Sequence, residues 1–323
     1  MTERWSGLLK VPLCHNSGAC YKVAASLCLT PLKSLQVPSA NAIFFSGDRV
    51  KGTGNPVIEK LSNAQHISEI LVSKFGSSIN VWVIKASTFN GPFAVYKDFI
   101  PSANEWGEPS SYNPTGFPTS SSIVRLLSNC LIKVKNLTEE HQKDSIQTSK
   151  CATKATLPKT IILGFSKGGT VLNQVVTELS FSDIMPTATN PSNISENQII
   201  PASKEILLDS ITEIHYVDVG LNSPGAYLTD QDTIKRLSTR AVHGGSCIRF
   251  MIHGTPRQWN NRNRVWILNE KNKMVELLET ECQASHGKVV VNERFYFGDR
   301  SPDMQMHFEI IEAMDVSLRL ELQ

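Results

Sequence analysis

Short apolar runs alternate with longer amphipathic runs along most of this chain of 323 residues, and this alternation limits the possible folds more than any other feature. The apolar runs are typical of buried strands, and the amphipathic runs have helical spacing. The strand-like runs lie at 21–29, 40–48, 79–87, 159–166, 211–220, 247–254 and 288–298. The helix-like runs lie at 55–75, 121–137, 168–179, 231–242 and 308–322. Repeated strand–helix–strand units predict an α/β fold with a mostly parallel central sheet and helices on both faces.

The length and the ordinary composition, with 41% hydrophobic and 19% charged residues, fit one large domain over residues 1–323. Two polar stretches without apolar periodicity, at 138–159 and 180–204, are predicted to be surface insertions. The second stretch follows the predicted helix 168–179, so it is either a lid over a site or a flexible loop.

Charge and cysteine usage exclude several classes of protein. The net charge of +2 comes from 32 basic and 30 acidic residues spread along the chain, so nucleic acid is not an expected partner. No apolar stretch reaches the roughly 18 residues of a membrane helix. Seven cysteines without a C-x-x-C pair argue against a zinc ribbon or a disulfide framework, and no metal or other cofactor is expected.

The opening MTERWSGLLKVPL lacks the apolar core of a secretory signal, so a cytoplasmic location is expected.

The segment TIILGFSKGGTVLNQVV (160–176) places Ser166 at a strand-to-helix turn. Its G-x-S-x-G pattern, from Gly164 to Gly168, has a steric reason, because side chains at the glycine positions would strike the neighbouring strand and helix. Such a turn holds the hydroxyl out at the carboxyl end of the strand and points the N–H of Lys167 toward a developing oxyanion. Ser166 is therefore a candidate nucleophile in an α/β-hydrolase-like fold. The alternative is an inert serine in a glycine-rich turn.

A nucleophilic serine needs a general base and a carboxylate that orients it, and in this architecture both follow the serine along the chain. His307 is the preferred base, because it follows the last predicted strand and a polar turn. His253, at the end of the run CIRFMIHG, is the alternative base, whereas His215 lies inside a strand-like run and is assigned to packing. Asp218, at the end of the run HYVDVG, is the preferred acid, although an aspartate that closes a turn explains the same position.

A second oxyanion donor is expected from the loop 44–55, FFSGDRVKGTGN. Glycine-rich turns allow backbone N–H groups to approach an anion closely, which directs attention to Gly47 and Asp48. Arg49, in the same loop, is a candidate contact for an anionic group of a substrate. An ordinary strand-to-helix loop rich in glycine explains the same residues.

Long blocks of the chain resemble the UPF0565 family, an α/β-hydrolase-like group of plant and animal proteins. The blocks that carry this resemblance are ERWSGLLKVP, NAIFFSGDRV, WVIKASTFNGPFAVYKDFIPS, LGFSKGGTVLNQ, YVDVGLNSPGAYLT, HGTPRQW and FYFGDRSPDMQMHFEIIEAM. The resemblance implies an elbow similar to that of serine hydrolases and lipases, with Ser166 at its tip. It also implies a mitochondrial location as the alternative to a cytoplasmic one.

Two functions of different classes follow from these features. The first is a serine hydrolase that cleaves an ester, thioester or amide of a small or lipid-like acyl compound with Ser166, His307 and Asp218. The second is a non-catalytic binding or scaffold protein on the same fold, with the segment 90–118, rich in aromatic residues, proline and glycine, as its recognition surface. That segment also fits an acyl pocket or a well-packed connection.

Overall fold

The structure of the chain is a computed structural model, and it describes residues 3–14, 19–50, 52–139, 157–183 and 198–317. The strands are β1 Arg4–Pro12, β2 Cys20–Cys28, β3 Ala40–Phe45, β4 Ile79–Lys85, β5 Thr88–Asn90, β6 Phe93–Val95, β7 Lys159–Phe165, β8 Ile211–Val217, β9 Ile248–Gly254 and β10 Val289–Phe295. The helices are α1 Pro56–Leu61, α2 Ala64–Phe75, α3 Pro118–Glu139, α4 Gly169–Phe181, α5 Lys204–Ser210, α6 Gln231–Val242, α7 Pro256–Trp259, α8 Val265–Ala284 and α9 Met304–Ala313.

Within the described residues, eight strands form one sheet in the order β1-β2-β4-β3-β7-β8-β9-β10. All neighbouring pairs from β4 to β10 are parallel, whereas β2 is antiparallel to both of its neighbours. Strands β5 and β6 form a separate hairpin. This arrangement confirms the predicted α/β fold with a mostly parallel sheet.

Helices cover both faces of the sheet, and the apolar side chains form one cluster on each face. Helices α3, α4, α5, α6 and α8 contribute to one cluster, and α1, α2 and α9 contribute to the other. Successive residues of a strand point to opposite faces, so Ile43 and Phe45 of β3 belong to the first cluster and Ala42 and Phe44 to the second. Continuous apolar runs are therefore required in these strands, because both faces are buried.

Some elements differ from the sequence prediction. Strand β1 and helix α8 were not predicted from the sequence. Most of the two predicted insertions lies outside the described residues, at 140–156 and 184–197. Edge strand β1 alternates exposed and buried residues over a short amphipathic segment, a pattern weaker than the buried runs of the central strands.

The turn after β7 is held by close backbone packing. A Cβ atom added to Gly168 would lie 2.2 Å from the carbonyl oxygen of Phe45 on β3, and one added to Gly164 would lie 2.7 Å from the carbonyl oxygen of Gly168. Ser166 has a φ of 53°, in the left-handed region that side chains rarely adopt. The sheet and the start of the next helix therefore hold the serine on a sharp, strained turn.

We expect Gly168→Ala to destabilise the fold by about 2 kcal/mol, because the added methyl group would push β3 away from the turn. A suitable control is Gly287→Ala, where no atom lies within 4 Å of the added Cβ and the φ of 76° is the sole source of strain. We expect that control to cost about 1 kcal/mol. Urea unfolding of both variants measures the difference, and equal midpoints would contradict the packing argument.

Candidate active site

Asp218 and His307 meet at the carboxyl end of the sheet. Asp218 follows β8, His307 lies in the first turn of α9, and the His307 Nδ1 is 2.6 Å from the Asp218 Oδ2. Thr255 also holds this carboxylate, since its backbone N–H donates to Oδ1 at 2.8 Å and its hydroxyl donates to Oδ2 at 3.0 Å. Asp218 is fully buried with a φ of 45°, so both the strand end and these bonds restrict its carboxylate.

The imidazole of His307 lies beside the turn that carries Ser166. Its ring stacks on Phe165 with the ring centroids 4.6 Å apart, and both His307 and Ser166 line one cavity of about 140 Å³. Among the described residues, no hydrogen bond joins the Ser166 hydroxyl to the imidazole. Because Nδ1 is hydrogen-bonded to Asp218, Nε2 is the ring nitrogen that remains available to a reacting group in the cavity.

The loop after β3 lies against Ser166. A Cβ atom added to Gly47 would be 2.5 Å from the Ser166 Cβ and 3.0 Å from its Oγ, so a larger residue does not fit there. In the described part of the chain, the N–H groups of Gly47 and Asp48 have no hydrogen-bond acceptor. The loop therefore brings unused backbone donors to the side of the serine, next to the start of the helix that follows Lys167.

The side chain of Lys167 is buried beside this loop, which the sequence reasoning did not predict. Its Nζ is 3.3 Å from the Asp48 Oδ1, donates to the Trp106 carbonyl at 2.7 Å and lies 4.5 Å from the ring centroid of Phe93. Burial lowers the pKa of Lys167 and raises that of Asp48, while their mutual attraction opposes both shifts. The pair ties the segment 93–106 to the turn.

The segment 90–118 packs onto the site rather than standing free. Ala94, Tyr96 and Phe99 are buried, and the Ala94 N–H donates to the Asp48 Oδ1 at 2.8 Å. Phe93 contributes to the wall of the cavity that contains Ser166. Of the interpretations considered for this segment, a well-packed connection that also walls the cavity agrees best with these contacts.

A larger cavity of about 640 Å³ adjoins the first and includes the loop after β3. The two cavities share Asp48, Val50 and Phe308. Arg49 lines the larger one, where its guanidinium lies 4.8 Å from the ring centroid of Phe89. Other apolar side chains of its wall are Leu61, Ile67 and Phe165.

His253, the alternative base, lies away from the serine in a buried polar chain. Its Nε2 is 3.2 Å from the His215 Nδ1, and its Nδ1 is 3.0 Å from the Tyr296 hydroxyl. The His215 Nε2 is in turn 3.1 Å from a carboxylate oxygen of Glu213. Both nitrogens of His253 are occupied, and His253 does not line either cavity described above, so the structure does not bring it to Ser166.

Three further cavity residues follow β9 in the segment HGTPRQWNNRNRVW. Arg257 and Gln258 belong to α7, Arg264 precedes α8, and all three line the cavity that contains Ser166 and His307. The sequence reasoning missed them. Their position directly after a parallel strand was the available signal, since the carboxyl ends of parallel strands meet at one edge of the sheet, where ligands bind.

Neither a cluster of metal-ligating side chains nor a membrane-spanning helix is present in the described ranges. They contain no cluster of three or more histidine, cysteine, aspartate or glutamate side chains that would suit a metal ion. None of the helices in these ranges combines the length and the apolar character needed to cross a bilayer.

The sheet order, the covering helices and the turn after β7 define an α/β-hydrolase fold.

A family model described as C2orf69 matches residues 126–283. The chain is similar to the mitochondrial protein C2orf69 homolog of Danio rerio, with 23% identity over 88% of this chain and 76% of that protein. It is also similar to the mitochondrial protein C2orf69 of Homo sapiens, with 24% identity over 77% of this chain and 66% of that protein. The expected resemblance to UPF0565 is therefore wrong, because the matching family and both relatives carry the name C2orf69.

Solved structures of hydrolases are also similar to this chain. An S-formylglutathione hydrolase from Agrobacterium tumefaciens is 13% identical with a TM-score of 0.40, and the match covers 97% of this chain and 94% of that one. The siderophore hydrolase EstB from Aspergillus nidulans is 11% identical with a TM-score of 0.46, covering 96% of this chain and 95% of that one.

The buried His215 and His253 pair should make stability depend on pH. Burial lowers the pKa of both imidazoles, so below about pH 6.5 the unfolded chain takes up protons that the folded chain excludes. The free energy of unfolding should then fall with decreasing pH, by at most about 1.4 kcal/mol per pH unit for each histidine. Urea unfolding between about pH 7.5 and pH 5.5 measures this, and His253→Gln should weaken the dependence. An unchanged pH dependence in that variant would contradict the assignment of this dependence to the buried histidine pair.

Proposed function

We propose that this chain is a serine hydrolase that cleaves an ester, thioester or amide of a small or lipid-like acyl compound. Ser166 is the nucleophile, His307 the general base and Asp218 the orienting acid. The observation that carries the proposal is the 2.6 Å contact between the His307 Nδ1 and the Asp218 Oδ2, in a cavity whose wall includes Ser166. A buried carboxylate bonded to Nδ1 leaves Nε2 unprotonated and selects the tautomer that accepts a serine proton.

In the first half of the reaction, the Ser166 Oγ attacks the acyl carbon while its proton moves to the His307 Nε2. The carbonyl electron pair moves onto oxygen, and the tetrahedral intermediate carries an oxyanion. When that pair returns, the bond to the leaving group breaks, and the leaving alcohol, thiol or amine takes the proton from the imidazolium. The negative charge of Asp218 stabilises the imidazolium in between.

In the second half, water attacks the acyl-serine and gives one proton to the His307 Nε2. A second tetrahedral intermediate forms and collapses, the bond to Oγ breaks, and Ser166 takes the proton back. A carboxylic acid leaves, so the net reaction is hydrolysis of the acyl bond by one water molecule.

The oxyanion is assigned to the N–H groups of Lys167 and of the loop at Gly47 and Asp48. The close approach of Gly47 to the serine supports this role, as do the free N–H groups of the loop within the described residues. Donors held in place before the reaction stabilise the developing charge without reorganisation. The adjoining cavity of about 640 Å³, with its apolar wall residues, supports an acyl chain as the bound group.

The proposal includes a mitochondrial location, because both relatives are named mitochondrial proteins. This favours the alternative location over the cytoplasmic one expected from the opening segment of the sequence. Imaging of the tagged full-length protein with a mitochondrial marker tests it.

Reaction with a fluorophosphonate probe should reveal an activated serine, since an ordinary hydroxyl does not react. We expect labelling of the folded wild-type protein, its loss in Ser166→Ala and its retention in Ser180→Ala. Ser180 is a matched control because it is also buried, and its hydroxyl donates to the Thr177 carbonyl at 2.8 Å. An unlabelled wild-type protein, beside a reacting control hydrolase, would favour the non-catalytic binding protein.

Asp218→Asn should lower the labelling rate by about a thousandfold or more, because an amide stabilises the wrong tautomer and no longer balances the imidazolium. The rate of probe incorporation, followed by gel fluorescence, measures this. His253→Gln serves as the comparison, and a larger loss there than in Asp218→Asn would contradict the assigned triad.

A further inference from the structure

Two arginines without an acidic partner lie in the cavity of the candidate active site. Arg257 and Arg264 are partly buried and line the cavity with Ser166 and His307. In the described part of the chain, neither guanidinium makes an ion pair or a side-chain hydrogen bond. Arginine has five donors in a rigid fork, so a partly buried guanidinium without acceptors has unused capacity to bind.

The other two charged side chains of the cavity wall, Asp48 and Lys167, balance each other. Asp48 pairs with Lys167, whereas Asp218 lies behind His307, accepts hydrogen bonds from His307 and Thr255, and does not line the cavity. With a neutral imidazole, the four charged side chains of the wall sum to +2, and the negative charge of the buried Asp218 behind them reduces the net charge of the site to +1. Such an excess, partly shielded from water, attracts an anion into the cavity.

The two guanidiniums line the same cavity, and the charge of one acts on the other. Burial is the main reason that the pKa of Arg264 is lowered, the charge of Arg257 lowers it further, and Asp218 opposes the shift. Placing like charges together in a partly desolvated site costs free energy in the empty protein. An anion between them would remove that cost.

Gln258 provides an independent sign that a polar group belongs in this cavity. It is 4% exposed, and its Oε1 has no hydrogen-bond partner among the described residues. Buried side-chain amides are almost always hydrogen-bonded, so this acceptor oxygen at the cavity wall is available to a donor group elsewhere on a bound molecule, not to its anionic group.

We infer that the substrate carries a carboxylate or phosphate group close to the scissile acyl bond, and that Arg257 and Arg264 bind that group. This inference rests on the proposed function and narrows its substrate class to anionic acyl compounds. The planar fork of arginine matches a carboxylate or phosphate through paired N–H donors. Both residues are assigned to specificity, since neither takes part in the proton transfers of Ser166 and His307.

Matched substrates test the inference. Para-nitrophenyl hemisuccinate and para-nitrophenyl butanoate both have a four-carbon acyl chain, and in the first a carboxylate replaces the terminal methyl group. The butanoyl ester of para-hydroxybenzoate and that of its methyl ester place the same charge difference on the leaving group. We expect the anionic member of at least one pair to have a kcat/KM about tenfold or more above its neutral match.

The variants Arg257→Gln and Arg264→Gln should each reduce that anionic-to-neutral ratio by about tenfold. Arg262→Gln is the matched control, because Arg262 lies in the same segment, is exposed and does not line the cavity. Arg257→Lys retains the charge and should keep more of the ratio than Arg257→Gln. Thermal unfolding checks that each variant is folded.

Binding is measured separately with Ser166→Ala, so that a failure of catalysis and a failure of the inference are distinguishable. Succinate or inorganic phosphate should raise the melting temperature more than neutral succinamide does, and Arg257→Gln in the same background should abolish the difference. The inference would be overturned if the protein turned over substrate or reacted with the probe but showed no preference for anions in rates or in binding. In that case the proposal of a serine hydrolase would still stand. Absence of turnover and labelling would overturn the hydrolase, and the binding measurement would still decide the anion site.

Discussion

The close approach of two backbones, at Gly168 and at Phe45 on the neighbouring strand, is the constraint on which the rest of the site depends. Because a Cβ at Gly168 would lie 2.2 Å from the Phe45 carbonyl oxygen, the turn after β7 sits directly against the end of β3. That contact places the loop at Gly47 against the serine and leaves Ser166 with a positive φ. One packing contact thus determines the position of both the hydroxyl and the neighbouring N–H groups.

The other half of the site depends on parallel strands ending at a common edge. Asp218 follows β8 and Thr255 follows the adjacent β9, so the bonds that hold the carboxylate join two neighbouring strand ends. His307 reaches the same edge from α9, across a separation of 89 residues along the chain. Such contacts are rigid because the sheet beneath them is buried on both faces.

The net positive charge of the cavity arises because few acidic side chains lie near its two arginines. Asp48 of the wall pairs with Lys167, and the single negative charge of the buried Asp218 offsets only part of the charge of Arg257 and Arg264. The whole chain is nearly neutral, with a net charge of +2, and this local excess is therefore invisible in its composition. Selectivity for an anion would arise from placement rather than from overall charge.

The sequence alone determined the mostly parallel α/β fold and the strand–turn–helix segment around Ser166, because buried strands, amphipathic helices and glycine spacing are local patterns. It also proposed His307, Asp218 and the Gly47 loop as candidates, but it left His253 open and missed Arg257 and Arg264. Only the tertiary structure decided which histidine shares the cavity with the serine. The physical reason is that distances between distant strand ends depend on the order and register of the sheet, which local periodicity does not encode.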